Sequence, residues 1–444
     1  MRRMRAKESV GDDPPDPFAT QPRPLPQPQP QPARPDAAAA SAAVVDTDVP
    51  GAVGRVLADL LDERVAAASA VDPVFARDVA GRVAHFTLHG GKRMRSQFLW
   101  WGLRAAGGGT DAADTDAALR LAAGLELIQT CALVHDDVMD DSPRRRSRAS
   151  VHADLNAQYG SAGRGGAGEA PGGQHFGKAA AILVGDLALA WADDTVADTP
   201  LPPHTGPRVR DIWQTMRTEM VAGQYLDLHG QATGSRSAHQ ALRTACLKSA
   251  HYSVERPLAL GAALAGADEP LTRALCRAGR CAGLAFQLRD DLLGAFGDPR
   301  LTGKPSGGDL REGKTTYLLT VARARAESSG DRPALALLDA LPGGARHRGT
   351  ELSDGDMERV RTVLVTTGAR RVVEVKIERL AALSSRHLAT APTVPPYGRR
   401  LHELLRRVAG VRPEEPEAAE APRGTPGAAP LPVLLTTPAE GGIR

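Results

Sequence analysis

Apolar residues recur at steps of three and four positions in four long segments of the chain, which is the spacing of one face of an α-helix. Each segment has the length of a helix that spans a domain. They cover residues 117–139, 179–194, 209–228 and 271–293. No internal repeat of fixed period accompanies them. The pattern therefore predicts a mostly helical chain.

Between and around these segments the polarity changes. Residues 1–50 carry Pro-Gln repeats and an Ala run, and residues 412–444 are rich in Pro, Glu, Ala and Gly. Such segments bury too little apolar surface to offset the entropy of ordering, so we predict two disordered tails. Gly- and Pro-rich stretches at 161–175 and 330–354 predict surface loops. One large domain, residues 51–411, remains.

Composition agrees with helices packed on helices. Aromatic residues make up only 4% of the chain, while Ala, Leu and Arg are abundant. Ala and Leu favour helices, whereas sheets are enriched in β-branched and aromatic residues. The predicted fold class is all-α, in a single large helical domain.

Charge, cysteines and hydropathy exclude several classes of protein. A net charge of +3 is too small for a nucleic-acid binder that works by neutralising phosphates. The four cysteines form no CxxC pair, so neither a disulfide framework nor a structural zinc site is indicated, and a cytoplasmic location is expected. No apolar run has the length of a membrane span, and no apolar signal-peptide core follows the basic start.

Two acidic clusters end apolar helical runs. In the first, Asp136 and Asp140 are one helical turn apart, so their carboxylates can share a hard cation; Asp137 and Asp141 lie beside them. The alternative is a solvated acidic helix end. A second acidic pair, at residues 290 and 291, also ends an apolar helix. This repetition favours magnesium ions that are shared with a diphosphate, because Mg²⁺ rarely uses an all-protein cage.

Basic residues complement these acids. They comprise the sequence GGKRMR at 90–95, three arginines at 144–146, Lys304 and Lys314. Taken singly, each is typical of a solvated surface. Together they predict an anion pocket, because Arg forks bind phosphate oxygens through paired hydrogen bonds and a Gly pair lets backbone approach a ligand.

These motifs resemble those of the trans-isoprenyl diphosphate synthases, the polyprenyl synthetase family. The resemblance extends over roughly residues 53–410 and keeps the family order. Its motifs are GGKRMR at 90–95, DDVMDD at 136–141 followed by RRRSRASVH, AILVGDLALAWA at 181–192, GQYLDL at 223–228 and FQLRDDLLGAFGDPRLTGKPSGGDLREGKTT at 286–316.

The resemblance implies the isoprenoid synthase fold, a helical bundle around a deep central cavity with both acidic motifs at its mouth, usually in a homodimer. It implies condensation of isopentenyl diphosphate with an allylic diphosphate, with Mg²⁺ as cofactor and three ions when substrate is bound. The implied metal ligands are Asp136, Asp137, Asp140, Asp290 and Asp291; with Lys248 they form the catalytic set.

The remaining site residues are also assigned by the resemblance. Those matched to isopentenyl diphosphate are Lys92, Arg95, Gln129 and Arg146. Those matched to the allylic diphosphate are Arg145, Lys248, Ser249, Gln287, Lys304 and Lys314.

The sequence departs from the family pattern at two positions. Gly294 stands where the second motif usually has a third acid, and Ser249 replaces the commoner Thr. Asp298 and Asp309 are candidate substitutes for the missing carboxylate. We expect activity to survive, with altered magnesium affinity.

Chain length is predicted from the residues before the first motif. In the family, the fourth and fifth positions before the first motif limit the length of the product. Here they are Ala132 and Cys131, and both side chains are small. Small side chains leave room for a growing product, which favours geranylgeranyl diphosphate or a longer one. Leu125 or Ile128 could still close the floor of the tunnel. His135 is predicted to be packed rather than to act as a base.

Two other functions stay open. A non-catalytic regulatory subunit of a heteromeric synthase fits the loss at Gly294, although the first motif is complete. A class I terpene cyclase also carries an Asp-rich helix, but it does not need the basic residues matched to isopentenyl diphosphate.

Overall fold

A computed structural model describes residues 42–145, 148–160, 173–297, 307–311, 314–342 and 353–411. The helices of its first half are α1 (Ala42–Thr47), α2 (Val49–Val71), α3 (Pro73–Phe75), α4 (Gly81–Leu88), α5 (Met94–Ala105), α6 (Ala112–Met139), α7 (Val151–Gly160) and α8 (Gly173–Ala197). Those of its second half are α9 (Gly206–Thr233), α10 (Ala238–Ala245), α11 (Arg256–Leu264), α12 (Glu269–Phe296), α13 (Gly308–Arg311), α14 (Tyr317–Ser329), α15 (Arg332–Asp339), α16 (Asp354–Thr366), α17 (Ala369–Ala389) and α18 (Tyr397–Ala409).

Two π-helical segments join neighbouring helices. Ala76–Ala80 links α3 to α4, and Cys246–Glu255 links α10 to α11. Within the described ranges the only sheet is a short antiparallel pair, β1 (Arg144–Arg145) with β2 (Arg148–Ala149). The all-α prediction is confirmed.

Each of the four predicted helices exists and extends beyond its apolar pattern, because polar caps lie outside that pattern. Asp111 caps α6 by accepting a hydrogen bond from the Asp114 backbone nitrogen at 2.8 Å. Asp268 caps α12 through the Leu271 nitrogen at 2.9 Å. At the other end of α9, Gly234 takes a left-handed φ of 60°.

The predicted tail over residues 1–50 is wrong for its last nine residues. They form α1 and the start of α2, and Val45 is fully buried. Asp46 adds a polar tie, since it accepts hydrogen bonds from Trp100 Nε1 at 2.9 Å and from Arg104. Ala-rich sequence therefore forms a docked helix here. Residues 1–41 lie outside the described ranges.

The predicted loop at 330–354 is likewise wrong in part, since it contains helix α15. Asp331 caps that helix by accepting from the Ala334 nitrogen at 3.0 Å, and Pro333 lies in its first turn, where proline is tolerated. Residues 343–352 lie outside the described ranges, as do residues 161–172 of the other predicted loop and the predicted tail at 412–444.

Helix α6 is the centre of the larger core. Leu121, Leu125 and Ile128 are fully buried, and the helix packs against α2, α5 and α8. Among the described residues it is the one helix long and apolar enough to cross a membrane, but 72% of its most apolar window is buried inside the protein. Most of this apolar window is therefore packed against other helices of the same domain.

A second core surrounds α12, which packs against α11, α17, α18 and the segment Cys246–Glu255. Both α6 and α12 carry acidic residues near their carboxyl ends, although α12 continues for five residues beyond Asp291. The segment Cys246–Glu255 determines how these two ends relate to each other.

Candidate active site

Asp136 lies at the centre of a hydrogen-bonded cluster at the end of α6. One carboxylate oxygen accepts from Lys248 Nζ and from Gln224 Nε2, each at 3.1 Å. The other accepts from Arg145 Nη2 at 3.2 Å. Burial alone raises the pKa of Asp136, but the charges of Lys248, Lys314 and Arg145 outweigh burial and lower the pKa. This carboxylate is therefore firmly ionised.

Asp137 is the most deeply buried of these acids, at 1% exposure. Its Oδ1 accepts from Arg145 Nε at 2.8 Å, while its Oδ2 has no hydrogen-bond partner. Burial raises the pKa of Asp137 despite the hydrogen bond from Arg145. A buried carboxylate oxygen without a donor is costly, so a further cation at this oxygen would stabilise the site.

Asp140 pairs with Lys314 Nζ at 2.8 Å. Burial raises the pKa of Asp140, and the charge of Lys314 opposes that change. Asp141 has a left-handed φ of 50°, is exposed, and pairs instead with Lys178 at 2.8 Å. Three of the four acids in the first motif therefore contribute to the cluster.

The segment Cys246–Glu255, called the bridging segment below, ties the two acidic motifs together through consecutive residues. Lys248 reaches the first motif at Asp136 and also contacts Asp227 on α9 at 2.7 Å. Ser249 donates to Gln287 on α12 at 2.5 Å, and Gln287 donates to Asp291 at 2.9 Å. The ends of α6 and α12 therefore flank one segment.

A glycine on α9 makes this arrangement possible. A Cβ at Gly223 would lie 2.5 Å from the Lys248 backbone nitrogen, closer than side-chain carbons come in proteins. The close approach brings Gln224 and Asp227 within reach of Asp136 and Lys248. Gln224 and Asp227 lie in the sequence GQYLDL, and the resemblance assigns neither of them a role. Their spacing of three residues places both on one face of the helix, and this spacing is the signal that could have found them.

The second motif presents its two acids differently. Asp291 is buried at 8% exposure, whereas Asp290 is exposed. Gly294 brings no side chain, and its carbonyl accepts from the Gly307 nitrogen at 2.7 Å. The candidate substitute Asp298 and the predicted ligand Lys304 lie outside the described residues, as does the side chain of Asp309.

The basic loop between α4 and α5 forms the other side of the site. Lys92 is exposed. Arg95 donates to Ser253 Oγ at 2.7 Å and lies 4.3 Å from the centre of the Tyr252 ring, both on the bridging segment. Arg95 Nε and Gln129 Oε1 are buried without hydrogen-bond partners. Arg146, predicted to act with them, lies outside the described residues.

The described acids do not form a ready-made metal cage. Within the described ranges no group of three His, Cys, Asp or Glu side chains is placed to hold an ion. Lys248, Lys314 and Arg145 instead neutralise the carboxylates. This donor set fits Mg²⁺, which takes one or two carboxylates and completes its shell with water and phosphate oxygens.

The predicted chain-length residues lie one to two turns before the first motif. Cys131 is 3% exposed, and burial raises the pKa of its thiol to about 12, so it stays an uncharged small side chain. Ala132 is half-buried, and deeper along α6 Leu125 and Ile128 are fully buried.

His135 is fixed by packing, as the sequence predicted. Its Nε2 lies 3.1 Å from the Ile182 carbonyl oxygen, and a Cβ at Gly185 would lie 2.1 Å from that nitrogen. The ring therefore occupies space that the glycine on α8 leaves free.

Known proteins match this chain in sequence and in fold. Residues 78–339 match the family model described as polyprenyl synthetase. The (2E,6E)-farnesyl diphosphate synthase of Mycobacterium tuberculosis is 33% identical over 294 residues, which are 65% of this chain and 71% of that enzyme. The geranylfarnesyl diphosphate synthase of Aeropyrum pernix is 28% identical over 331 residues, 74% of this chain and 92% of that enzyme.

A solved structure is similar over most of the described chain. Geranylgeranyl pyrophosphate synthase from Corynebacterium glutamicum, complexed with isoprenyl diphosphate and magnesium, is 36% identical with a TM-score of 0.73. The match covers 81% of this chain and 99% of that one. Since the family model spans more than half of the sequence and the helical fold agrees, this chain belongs to the polyprenyl synthetase family of prenyltransferases.

Proposed function

We propose that the chain condenses isopentenyl diphosphate with an allylic diphosphate and releases diphosphate, giving a prenyl diphosphate one five-carbon unit longer. The observation that carries this proposal is the bridging segment. Lys248 contacts Asp136 of the first acidic motif, and the next residue, Ser249, contacts Gln287, which in turn donates to Asp291 of the second motif. A substrate diphosphate between those motifs meets both carboxylates and cations.

The allylic diphosphate is assigned to the mouth formed by Asp136, Asp140 and Asp290. Lys248 and Arg145 pair with Asp136, and Lys314 pairs with Asp140, so these cations neutralise the first motif in the absence of substrate. When a diphosphate enters, the same cations can turn to its oxygens. Gln287 and Ser249, already hydrogen-bonded to each other, line the second-motif side.

Asp136, Asp137, Asp140, Asp290 and Asp291 would hold Mg²⁺, and the family resemblance implies three ions with substrate bound. The orphaned Oδ2 of Asp137 and the firmly ionised Asp136 fit such an ion. When bound, Mg²⁺ supplies positive charge that stabilises the departing diphosphate.

Isopentenyl diphosphate is assigned to the basic loop. Lys92 and Arg95 supply positive charge. Arg95 Nε and Gln129 Oε1 are buried without hydrogen-bond partners, so both can form hydrogen bonds to a ligand or its bound water. Arg146 completes the set predicted from the sequence. In this assignment the diphosphate of isopentenyl diphosphate binds to basic side chains, whereas the allylic diphosphate binds at the acidic motifs.

The chemistry follows from this separation. The allylic carbon–oxygen bond breaks, and its electron pair leaves with the diphosphate that Lys248, Lys314 and Arg145 hold. The double bond of isopentenyl diphosphate attacks the allylic carbon, a carbon–carbon bond forms, and a proton is lost to the released diphosphate. No side chain forms a covalent bond with substrate.

The proposed product is geranylgeranyl diphosphate or a longer chain. Cys131 and Ala132 occupy little volume on the helix that carries the first motif, so they leave space for the growing chain. The relatives named above differ in product length, from farnesyl to geranylfarnesyl. Membership of the family therefore does not fix the product length, which has to be measured.

A homodimer in the cytoplasm completes the proposal. Large apolar side chains on α8 and α9 are exposed in the single chain: Ile182, Leu183, Val221 and Tyr225, at 45%, 57%, 63% and 63%. Such a patch fits burial against a second copy. Light scattering should give twice the mass of one chain, and Leu183→Glu should shift the measured mass toward that of one chain.

The proposed location is the cytoplasm. All four cysteines are unpaired, as in a reducing compartment.

The test of the activity is product analysis. The purified chain is incubated with labelled isopentenyl diphosphate, Mg²⁺ and, in turn, the five-, ten- and fifteen-carbon allylic diphosphates. Extension of at least one primer to twenty carbons or more supports the proposal. No extension of any primer by folded, magnesium-supplied protein overturns it and leaves the regulatory subunit.

A further inference from the structure

One buried arginine on α12 has two terminal nitrogens without a hydrogen-bond partner. Arg289 lies between Gln287 and Asp290 in the second motif and is only 5% exposed. Both of its terminal nitrogens, Nη1 and Nη2, are buried without a hydrogen bond. The charge of the neighbouring Asp290 offsets only part of the cost of burial, and burial lowers the pKa of Arg289. Two buried donors without acceptors are unfavourable, so an anion that accepted from both nitrogens would stabilise this position.

The surroundings of Arg289 indicate where that anion binds. Although Lys92 is exposed, partial desolvation lowers its pKa, and the nearby positive charge of Arg289 lowers that pKa further. The two cations therefore face a common region between the basic loop and α12. Like charges so placed repel each other until an anion lies between them.

The end of α18 leaves space for this guanidinium. Gly410 takes a left-handed φ of 86°, and a Cβ there would lie 2.5 Å from Arg289 Nη1. The arginine passes close to the helix end but donates no hydrogen bond to it. Anchoring α18 is therefore not what the two free nitrogens do.

We propose that Arg289 binds the diphosphate of isopentenyl diphosphate together with Lys92. This inference rests on the proposed function and adds a residue from the second-motif helix to the second substrate's site. The allylic diphosphate is neutralised at the acidic clusters, whereas the other diphosphate depends on side-chain cations alone. An Arg fork supplies two parallel donors to phosphate oxygens, which a Lys cannot do.

The test compares Arg289→Leu with the natural chain. Loss of a charge-assisted contact should raise the KM for isopentenyl diphosphate about 10- to 100-fold, with the KM for the allylic substrate unchanged. The melting temperature of the ligand-free variant should be equal or higher, because an unpaired buried charge is gone. Arg289→Lys should give an intermediate KM.

Arg280→Leu is the matched control on the same helix. The Arg280 guanidinium binds the buried Glu255 through two hydrogen bonds of 2.7 Å, so its loss should lower the melting temperature and leave both KM values unchanged. The inference is overturned if Arg289→Leu behaves like this control, or if it raises both KM values equally.

Failure of the proposed function would be visible separately. If the natural chain condenses nothing, calorimetric titration of isopentenyl diphosphate into the natural chain and Arg289→Leu still tests the residue. Weaker binding by the variant supports the assignment, and equal binding or none by either protein overturns it.

Discussion

Replacing Lys248 by Met removes one charge and keeps the length of the side chain. The ammonium lies 3.1 Å from Asp136 and 2.7 Å from Asp227, and the side chain is 28% exposed. In the variant the two carboxylates face each other without this cation. The side chain is an appropriate target because it connects the bridging segment to the first motif.

The expected loss of stability follows from the two contacts of the Lys248 ammonium. A hydrogen bond between charged groups contributes about 1.5–3 kcal/mol, and partial exposure reduces this, so the free energy of unfolding should fall by about 2–4 kcal/mol. For a folded domain of this size the melting temperature should drop by about 3–5 °C. Loss of a cation at the departing diphosphate should lower kcat about 10²- to 10³-fold.

Two assays follow these effects. Thermal unfolding by circular dichroism gives the stability change, and steady-state turnover with saturating substrates gives kcat. The stability deficit should shrink on adding Mg²⁺ with inorganic diphosphate, because bound cations then compensate the carboxylate that Lys248 no longer neutralises.

Lys376→Met is the control for this substitution. Its ammonium lies 5.4 Å from the centre of the Tyr317 ring, and its loss should cost at most about 1 kcal/mol and leave kcat unchanged. A Lys248→Met protein with the natural melting temperature and turnover would refute the role given to the bridging segment.

Four further substitutions test the geometry. Gly223→Ala places a carbon 2.5 Å from a backbone nitrogen of the bridging segment, so kcat should fall more than about tenfold, measured against the natural chain. Gly261→Ala places one 2.2 Å from the Leu99 carbonyl and should cost at least about 3 kcal/mol in denaturant unfolding, whereas Gly308→Ala, with nothing within 4 Å, should cost under about 1 kcal/mol. Cys131→Phe fills buried space, so mass spectrometry should find shorter products; an unchanged product length would refute the gate.

Helix positions were predictable because apolar periodicity is local. The segments at α6, α8, α9 and α12 were found from spacing alone, and only their capped ends were missed. Helix α15 was missed because a proline and polar residues predict a loop, although both suit a first turn. Residues 42–50 were missed because their anchor, the pairing of Asp46 with Arg104, is long-range.

The site residues that belong to family motifs could be predicted from the sequence, but their contacts could not. Lys248 and Ser249 match positions of the family. Which motif each of them contacts depends on how the bridging segment lies between α6 and α12. The contacts of Gln224 and Asp227 require the close approach at Gly223. No sequence pattern marks Arg289 as unpaired, because burial and partners are tertiary properties.

The most direct test of the central claim measures two quantities in one reaction. Diphosphate release and incorporation of labelled isopentenyl diphosphate are followed together with an allylic primer and Mg²⁺. The account predicts one diphosphate released for each isopentenyl unit incorporated, and almost no release when isopentenyl diphosphate is omitted. Rapid release without incorporation would contradict condensation and indicate a cyclase or hydrolase instead.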